Sequence, residues 1–371
     1  MATLTAPVAL VGKTTESPDA VVFRGDGEPK TPELMVRRLA EIADGTGIEA
    51  DNYSLGGVVE EVEKRLAAIL GKEAAVFMPT GTLANHLAIR NQCGRGQRAI
   101  VQEQSHIYHD IGDCVQQLSG INLIPLANKR PYFRLEEVKA AVETSVSGRV
   151  LTPVGALVIE SPVRRQHGQI MPFDVMREIT EYCAANSIRT HLDGARLFMM
   201  SAATGIPPEE YSGLFDTVYV SLYKYFGAPF GAILAGTEEF CRDLYHDRRM
   251  FGGGLSNTSL AAALALQGME GFEERFAEAM SKAEALFVEL NRLDGMNVES
   301  YKHGSNIFPI TPDANVDVEK LIEELANSSV FVNTDEGNPS KIHLTVNTTI
   351  LRQSNEDITR AFEAALNIAR S

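Results

Sequence analysis

The two segments Thr190-His191-Leu192-Asp193-Gly194-Ala195-Arg196 and Ser221-Leu222-Tyr223-Lys224-Tyr225-Phe226-Gly227-Ala228-Pro229 decide the fold. Each follows a short apolar run with β-branched residues, at 188–192 and 217–222. Each then breaks into polar residues and glycine, the pattern of a strand running out into a loop. In open α/β sheets, ligands bind in the crevice beyond the carboxyl ends of the strands. Two strand ends would therefore deliver an acid, a guanidinium and a lysine to one rim.

That trio suits pyridoxal phosphate. The cofactor's aldehyde forms a Schiff base with a lysine, and an acid keeps its pyridine nitrogen protonated so that the ring can draw off electrons. Lys224 is the candidate lysine and Asp193 the candidate acid. Each has a plainer reading when taken singly, because lysines after strands are often solvated and Asp-Gly is often a turn. The pair together favours the cofactor.

Composition narrows the alternatives. The 371 residues suggest about two domains. A hydrophobic content of 44% and a charged content of 22% are ordinary for a globular core. A net charge of −15 argues against nucleic acid and against an anionic membrane as partners. No apolar run approaches the roughly 18 residues of a membrane span. Residues 1–12 lack the basic start of a secretory signal. Cys93, Cys114, Cys183 and Cys241 show neither a CxxC pair nor metal-ligand spacing, so reduced thiols and a cytoplasmic setting are expected, with no metal. Val11-Gly12-Lys13-Thr14-Thr15 resembles the end of a phosphate loop, but Pro7 stands where its first glycine belongs, and the motif is rejected.

Along the chain, Thr31-Pro32-Glu33 starts a helix with Met35, Leu39 and Ile42 as its buried stripe, ending at Gly45. A loop with Asp51-Asn52-Tyr53-Ser54 and Gly56-Gly57 leads to a second helix, with Val58, Val62, Leu66 and Leu70 on one face. A strand at 74–78 then runs into Pro79-Thr80-Gly81-Thr82, where a helix start offers N–H groups and a hydroxyl to a phosphate. Strands at 98–102, 122–126 and 156–160 alternate with helices from about 106, at 135–144 and at 173–186. Repeats of this kind give a mostly parallel sheet flanked by helices. His106, just past a strand, is placed to cover an aromatic cofactor by stacking, though a histidine at a helix start is also ordinary. A strand is expected at 230–234. Arg248 and Arg249 beside Gly252-Gly253-Gly254 make a candidate anion site, or a solvated helix end. Residues 260–293 read as one long helix, followed by a compact α+β unit. The expected organisation is an N-terminal arm and helix (1–50), a large cofactor-binding domain (51–255) and a small C-terminal α+β domain (256–371).

The segments H-L-D-G-A-R, S-L-Y-K-Y-F-G-A-P-F-G, F-M-P-T-G-T-L-A-N and R-R-M-F-G-G-G together resemble the threonine aldolase and β-eliminating lyase family, fold-type-I pyridoxal-phosphate enzymes with an aminotransferase-like fold. The resemblance runs from about Phe23 to the end of the chain. It implies that Lys224 bonds the cofactor, Asp193 pairs with its pyridine nitrogen, and Arg196 lies beside the phenolic oxygen and the substrate carboxylate. It also implies phosphate binding by Gly81 and Thr82, stacking by His106, and a phosphate contact from Arg248 or Arg249, in the same or a neighbouring subunit. Homodimers or homotetramers with shared active sites follow from the same likeness. The substrate side is expected to draw on Tyr53, Arg164, Arg196 and His343.

Departures concentrate on that substrate side. The aldolases carry E-N-T-H where this chain has Glu160-Ser161-Pro162-Val163-Arg164-Arg165, so Val163 replaces a histidine that contacts the substrate hydroxyl. Gly25 stands for a serine, Tyr223 for the serine before the lysine, and His343 for a carboxylate-binding arginine. The expected activity is retro-aldol cleavage of a β-hydroxy-α-amino acid other than threonine to glycine and an aldehyde. The alternatives are β-elimination, transamination, and a non-catalytic binding or scaffold protein.

Overall fold

Three strands of the sheet that carries the site have no exposed residue. In the computed structural model, which describes residues 14–94, 96–335 and 337–370, every position of Val154–Glu160, Thr217–Ser221 and Ala232–Gly236 is buried. Strands covered on both faces read as continuous apolar runs rather than alternating ones. Seven strands form this sheet, in the order Ala74–Met78, Ala232–Gly236, Thr217–Ser221, Arg189–Asp193, Val154–Glu160, Arg98–Gln102, Asn122–Leu126. All neighbouring pairs are parallel except the two made by Ala232–Gly236, which runs against both its neighbours. This is the mostly parallel α/β sheet that the alternation predicts. Residues 1–12, read for a leader, and most of the rejected phosphate-loop motif lie outside the described residues.

Register then fixes the rim. Glu160 stands opposite Asp193, and Asp193 opposite Tyr219, at the carboxyl ends of three adjacent parallel strands. The Lys224 segment follows directly from the third.

Several expected elements shift, each for a local reason. The strand expected at 230–234 starts at Ala232, because Gly231 holds φ at +117°, a value closed to side-chain-bearing residues. The long helix expected over 260–293 is two helices, Ser259–Met269 and Phe272–Leu290, parted at Gly271 with φ +55°. Helix Pro32–Gly45 is capped by the Thr31 hydroxyl, which accepts the Leu34 N–H at 3.3 Å. None of its residues is fully buried, so Met35, Leu39 and Ile42 form only a half-buried stripe.

The chain divides into two compact units whose boundaries differ from the sequence expectation. The larger holds residues 30–277 and 300–307; the smaller holds the described residues through Pro29 with 278–299 and the chain from Phe308 onward. The N-terminal arm joins the smaller unit because Val21–Val22 pairs in parallel with Val330–Phe331, and the Asn347 side chain donates to Val22 O at 2.8 Å. A four-stranded sheet with helices Val318–Asn327 and Asn355–Ala369 completes the expected α+β character.

Residues 256–277 stay with the larger unit, and Asp51 is one reason. Its buried carboxylate accepts the N–H groups of Thr258 and Ser259, both at 2.8 Å, and of Ser54 at 2.7 Å. It thereby ties the 51–57 loop to the start of the Ser259 helix. Burial acts to raise its pKa, but the N–H bonds from Thr258, Ser54 and Ser259 outweigh that and hold it below the usual value. Asp51→Ala should cost about 2–4 kcal/mol at neutral pH, since three N–H groups lose their acceptor. A lowered folded pKa means that the stabilisation is present above the unfolded value and is lost as pH falls. Chemical denaturation of both proteins should therefore show the gap narrowing below about pH 4.

Candidate active site

A pocket of about 350 Å³ opens at the rim where the strands end, lined among others by Gly81, Thr82, His106, Glu160, Arg164, Asp193, Arg196 and Lys224. All of its lining comes from the larger unit. The backbone explains how these groups meet. Strand Ala74–Met78 leads into helix Gly81–Gln92, whose cap is Thr80: its hydroxyl accepts the Leu83 N–H at 3.1 Å. Gly81 and Thr82 therefore open the first turn with N–H groups that the helix itself cannot satisfy. Glycine is required at position 81, because a Cβ there would collide with the buried Tyr219 hydroxyl.

Asp193 is 2% exposed yet fully engaged. Its Oδ2 accepts from Asn85 Nδ2 at 2.7 Å, and its Oδ1 accepts from the Ala195 N–H at 3.2 Å. Glu160 stands beside it on the next strand. Burial first, then the Asp193 charge, push its pKa up to about 7, against the His106 and Arg164 N–H groups and the Arg196 charge. Those two N–H groups donate to Glu160 Oε2 at 2.5 Å and Oε1 at 2.9 Å. One side chain thus anchors the start of the short helix His106–His109 and the start of the Arg164 turn.

Among the predicted residues, the structure brings Lys224, Asp193, Arg196, Gly81, Thr82, His106 and Arg164 to one pocket. The Lys224 ammonium lies 5.7 Å from the Tyr223 ring centroid. Arg164 bonds Asp110 at 2.9 Å, and the same carboxylate lies 3.5 Å from His106 Nδ1 and 3.5 Å from Arg165. Val163 is wholly buried, its N–H donating to Gln169 O at 2.9 Å, which leaves Arg164 as the member of that turn on the pocket wall.

Four predicted residues stand elsewhere: Arg248, Arg249, Tyr53 and His343. Arg248 is fully buried and donates to Phe77 O at 2.6 Å and Tyr53 O at 3.1 Å. Its geometry is that of a pin between the 51–57 loop and the strand feeding the phosphate turn, rather than of an arm into this pocket. Arg249 is exposed, with its guanidinium 4.5 Å from the centroid of the Tyr53 ring, and neither lines the pocket. His343 stands on the smaller unit, opposite Asn333 in an antiparallel pair.

Glu160 and Tyr219 line the pocket and went unselected from sequence. The available signal was a charged residue closing an otherwise apolar buried strand, Val-Gly-Ala-Leu-Val-Ile-Glu, which is costly unless the charge is used.

Comparison with known proteins agrees with this geometry. The model of the beta-eliminating lyase family matches residues 23–311, and the chain belongs to that family. Among its relatives is a probable low-specificity L-threonine aldolase 2 of Arabidopsis thaliana, 28% identical over 319 residues that make up 84% of this chain and 88% of the relative. A solved structure described as a putative L-allo-threonine aldolase from Listeria monocytogenes is 28% identical with a TM-score of 0.76, covering 92% of this chain and 95% of that one. A putative aromatic amino acid beta-eliminating lyase/threonine aldolase from Exiguobacterium is 25% identical with a TM-score of 0.79, covering 95% and 98%.

The raised Glu160 pKa carries a stability consequence. A carboxyl group whose folded pKa exceeds its unfolded value stabilises most below the unfolded pKa, and that contribution is lost as pH rises through the folded value. For Glu160 the window runs from the ordinary glutamate value to about 7. Glu160→Gln cannot ionise, so wild type should lose stability relative to this variant across that window in cofactor-free protein. Denaturation midpoints taken at half-unit intervals from pH 5 to 8 should converge or cross; parallel curves would show that Glu160 titrates normally.

Proposed function

We propose that this protein is a pyridoxal-phosphate-dependent lyase of the threonine-aldolase type, cleaving the Cα–Cβ bond of a β-hydroxy-α-amino acid to glycine and an aldehyde. The observation that carries the reading is the meeting of Lys224, the buried Asp193 carboxylate and the Gly81–Thr82 helix start in one pocket. That donor set fits the cofactor: an amine for its aldehyde, an anion for its ring nitrogen, and unsatisfied N–H groups for its phosphate. When bound, the cofactor supplies the electron sink that makes loss of a Cα substituent feasible.

The residues divide the remaining work. Asp193, oriented by Asn85 and Ala195, would accept a hydrogen bond from the N–H of the cofactor's ring. Gly81 N–H, Thr82 N–H and the Thr82 hydroxyl would hold the phosphate, and His106 on the pocket wall would cover the ring. Lys224 would hold the cofactor through its aldehyde, and its amine stands on the pocket wall where it could take or return a proton. Arg196 and Arg164 present guanidinium groups to the substrate, Arg164 by exchanging Asp110 for an incoming anion. A lysine, acid and arginine kept together in a pocket speak against a scaffold.

Substrate choice follows from Val163 and Arg164. A site that hydrogen-bonds a hydroxyl discriminates through that bond, and an apolar residue forgoes it. The same reading includes a homodimer or homotetramer with shared sites. Support comes from Tyr53, Leu55, Met250 and Leu260, all exposed apolar side chains of the larger unit, with the Tyr53 ring against Arg249. Among the described residues no helix is long and apolar enough to cross a membrane. The four cysteines are free thiols, which supports the expected cytoplasmic setting.

Two experiments test this reading. Asp193→Asn should lower turnover roughly a thousandfold with the fold intact; near-wild-type turnover would reduce Asp193 to a turn residue. Glycine and aldehyde release should be weak for L-threonine and L-allo-threonine and stronger for a bulkier or acidic member of an amino-acid panel. With that better substrate, Arg164→Ala should lower kcat/KM about tenfold or more while cofactor affinity holds. Threonine cleavage equal to the best panel member would contradict the substrate assignment.

A further inference from the structure

Behind Asp193 a line of polar side chains runs away from the pocket into the sheet–helix interior. Asn85 Nδ2 lies 2.7 Å from Asp193 Oδ2, and Asn85 Oδ1 lies 2.9 Å from His191 Nε2. His191 Nδ1 lies 2.8 Å from Thr217 Oγ1, and Gln92 Nε2 donates to Thr217 Oγ1 at 2.7 Å and to Thr190 O at 3.1 Å. Asn85 and His191 are completely buried and Thr217 is 1% exposed, so no solvent competes for the bonds among them, while Gln92 at the far end is half-buried.

The chemistry of the end group sets every direction along the line. An ionised carboxylate only accepts, so Asn85 must turn its NH2 toward Asp193. The Asn85 oxygen then faces His191 and can only accept, so His191 must carry a proton on Nε2. Burial, acting first and against the pull of Asp193, lowers the His191 pKa to about 4, so the ring holds a single proton at neutral pH. Its Nδ1 is therefore bare and accepts the Thr217 hydroxyl proton. The Thr217 oxygen in turn receives the Gln92 amide. All four bonds donate in the same sense, toward Asp193. Reversing any link would set two acceptors or two donors face to face in a buried site, at the full desolvation cost.

We propose that Thr217, His191 and Asn85 form a positioning relay that locks His191 as the neutral Nε2–H tautomer and so presents a fixed N–H donor to Asp193. The relay holds that carboxylate charged, acceptor-only and aimed, which on the reading above is the state that pairs with the cofactor's ring nitrogen. His191 acts through Asn85 and touches neither cofactor nor substrate.

The test begins with the tautomer. Holoenzyme labelled with 15N in its histidine rings is followed by long-range 1H–15N correlation, with the His191 signals assigned from their absence in His191→Gln. The relay requires Nε2 protonated and Nδ1 bare throughout pH 6–8; an Nδ1–H tautomer or an imidazolium at pH 7 overturns it. The second arm compares His191→Gln, which can still donate to Asn85, with His191→Leu, which cannot. Leu should weaken pyridoxal-phosphate affinity, measured by fluorescence titration, and lower kcat, each about tenfold with KM little changed, and Gln should recover most of both losses. Equal behaviour of Leu and Gln, or no loss in either, overturns the relay, since a packing role would follow volume rather than donor ability. Should Leu fail to fold, the isosteric Thr217→Val serves instead: it strips the donor from Nδ1, and an unchanged Nδ1 chemical shift in that variant contradicts the chain. A change in Asp193→Asn tests the functional reading separately, because the tautomer result stands even if that variant keeps full cofactor affinity and turnover.

Discussion

Two carboxyl groups stand opposite each other at the ends of adjacent parallel strands, and each is held by its own set of donors. Asp193 receives one side-chain and one backbone donor. Glu160, one strand away and wholly buried among the pocket groups, has its pKa pushed up by burial and by that neighbouring charge. Like charges in a poorly solvated site oppose each other, and here the cost falls on Glu160, the acid on the strand that feeds Arg164. The two backbone N–H groups on Glu160 then couple its state to the position of both His106 and Arg164.

Much of this was legible in the sequence, for identifiable reasons. The β-branched runs before Asp193 and Lys224 marked buried strands, and the polar residues after them marked the rim; strand register then aligned Glu160, Asp193 and Tyr219. Thr80-Gly81-Thr82 announced a helix start, although the capping hydroxyl is that of Thr80. Less legible was anything decided by a residue distant in the chain. Arg248 looked like an anion ligand beside glycines, yet Phe77 and Tyr53 carbonyls take its donors. The helix break at Gly271 hid inside a periodic apolar pattern, because one left-handed glycine does not disturb the spacing on either side. The line from Gln92 to Asp193 joins helix Gly81–Gln92 to two strands, a pairing that no local pattern encodes.

The departures from the aldolase pattern sort by position. Groups that would hold the cofactor are kept in the pocket, whereas the turn after Glu160 has an inward-buried valine and puts an arginine on the wall. The groups proposed to hold the cofactor thus stand at the ends of the strands, which the sheet makes rigid, and the proposed substrate contacts on the turns that follow them. The division matches the general expectation that loops on a fixed scaffold carry specificity.

The central claim is that Lys224 is the residue brought to the cofactor by the end of the Thr217–Ser221 strand. Its most direct measurement is reduction of the protein with borohydride in the presence of pyridoxal phosphate, followed by proteolysis and mass mapping. The account predicts a single phosphopyridoxyl adduct, on Lys224, and none on the Lys224→Ala variant. An adduct on another lysine, or none on any, would contradict it.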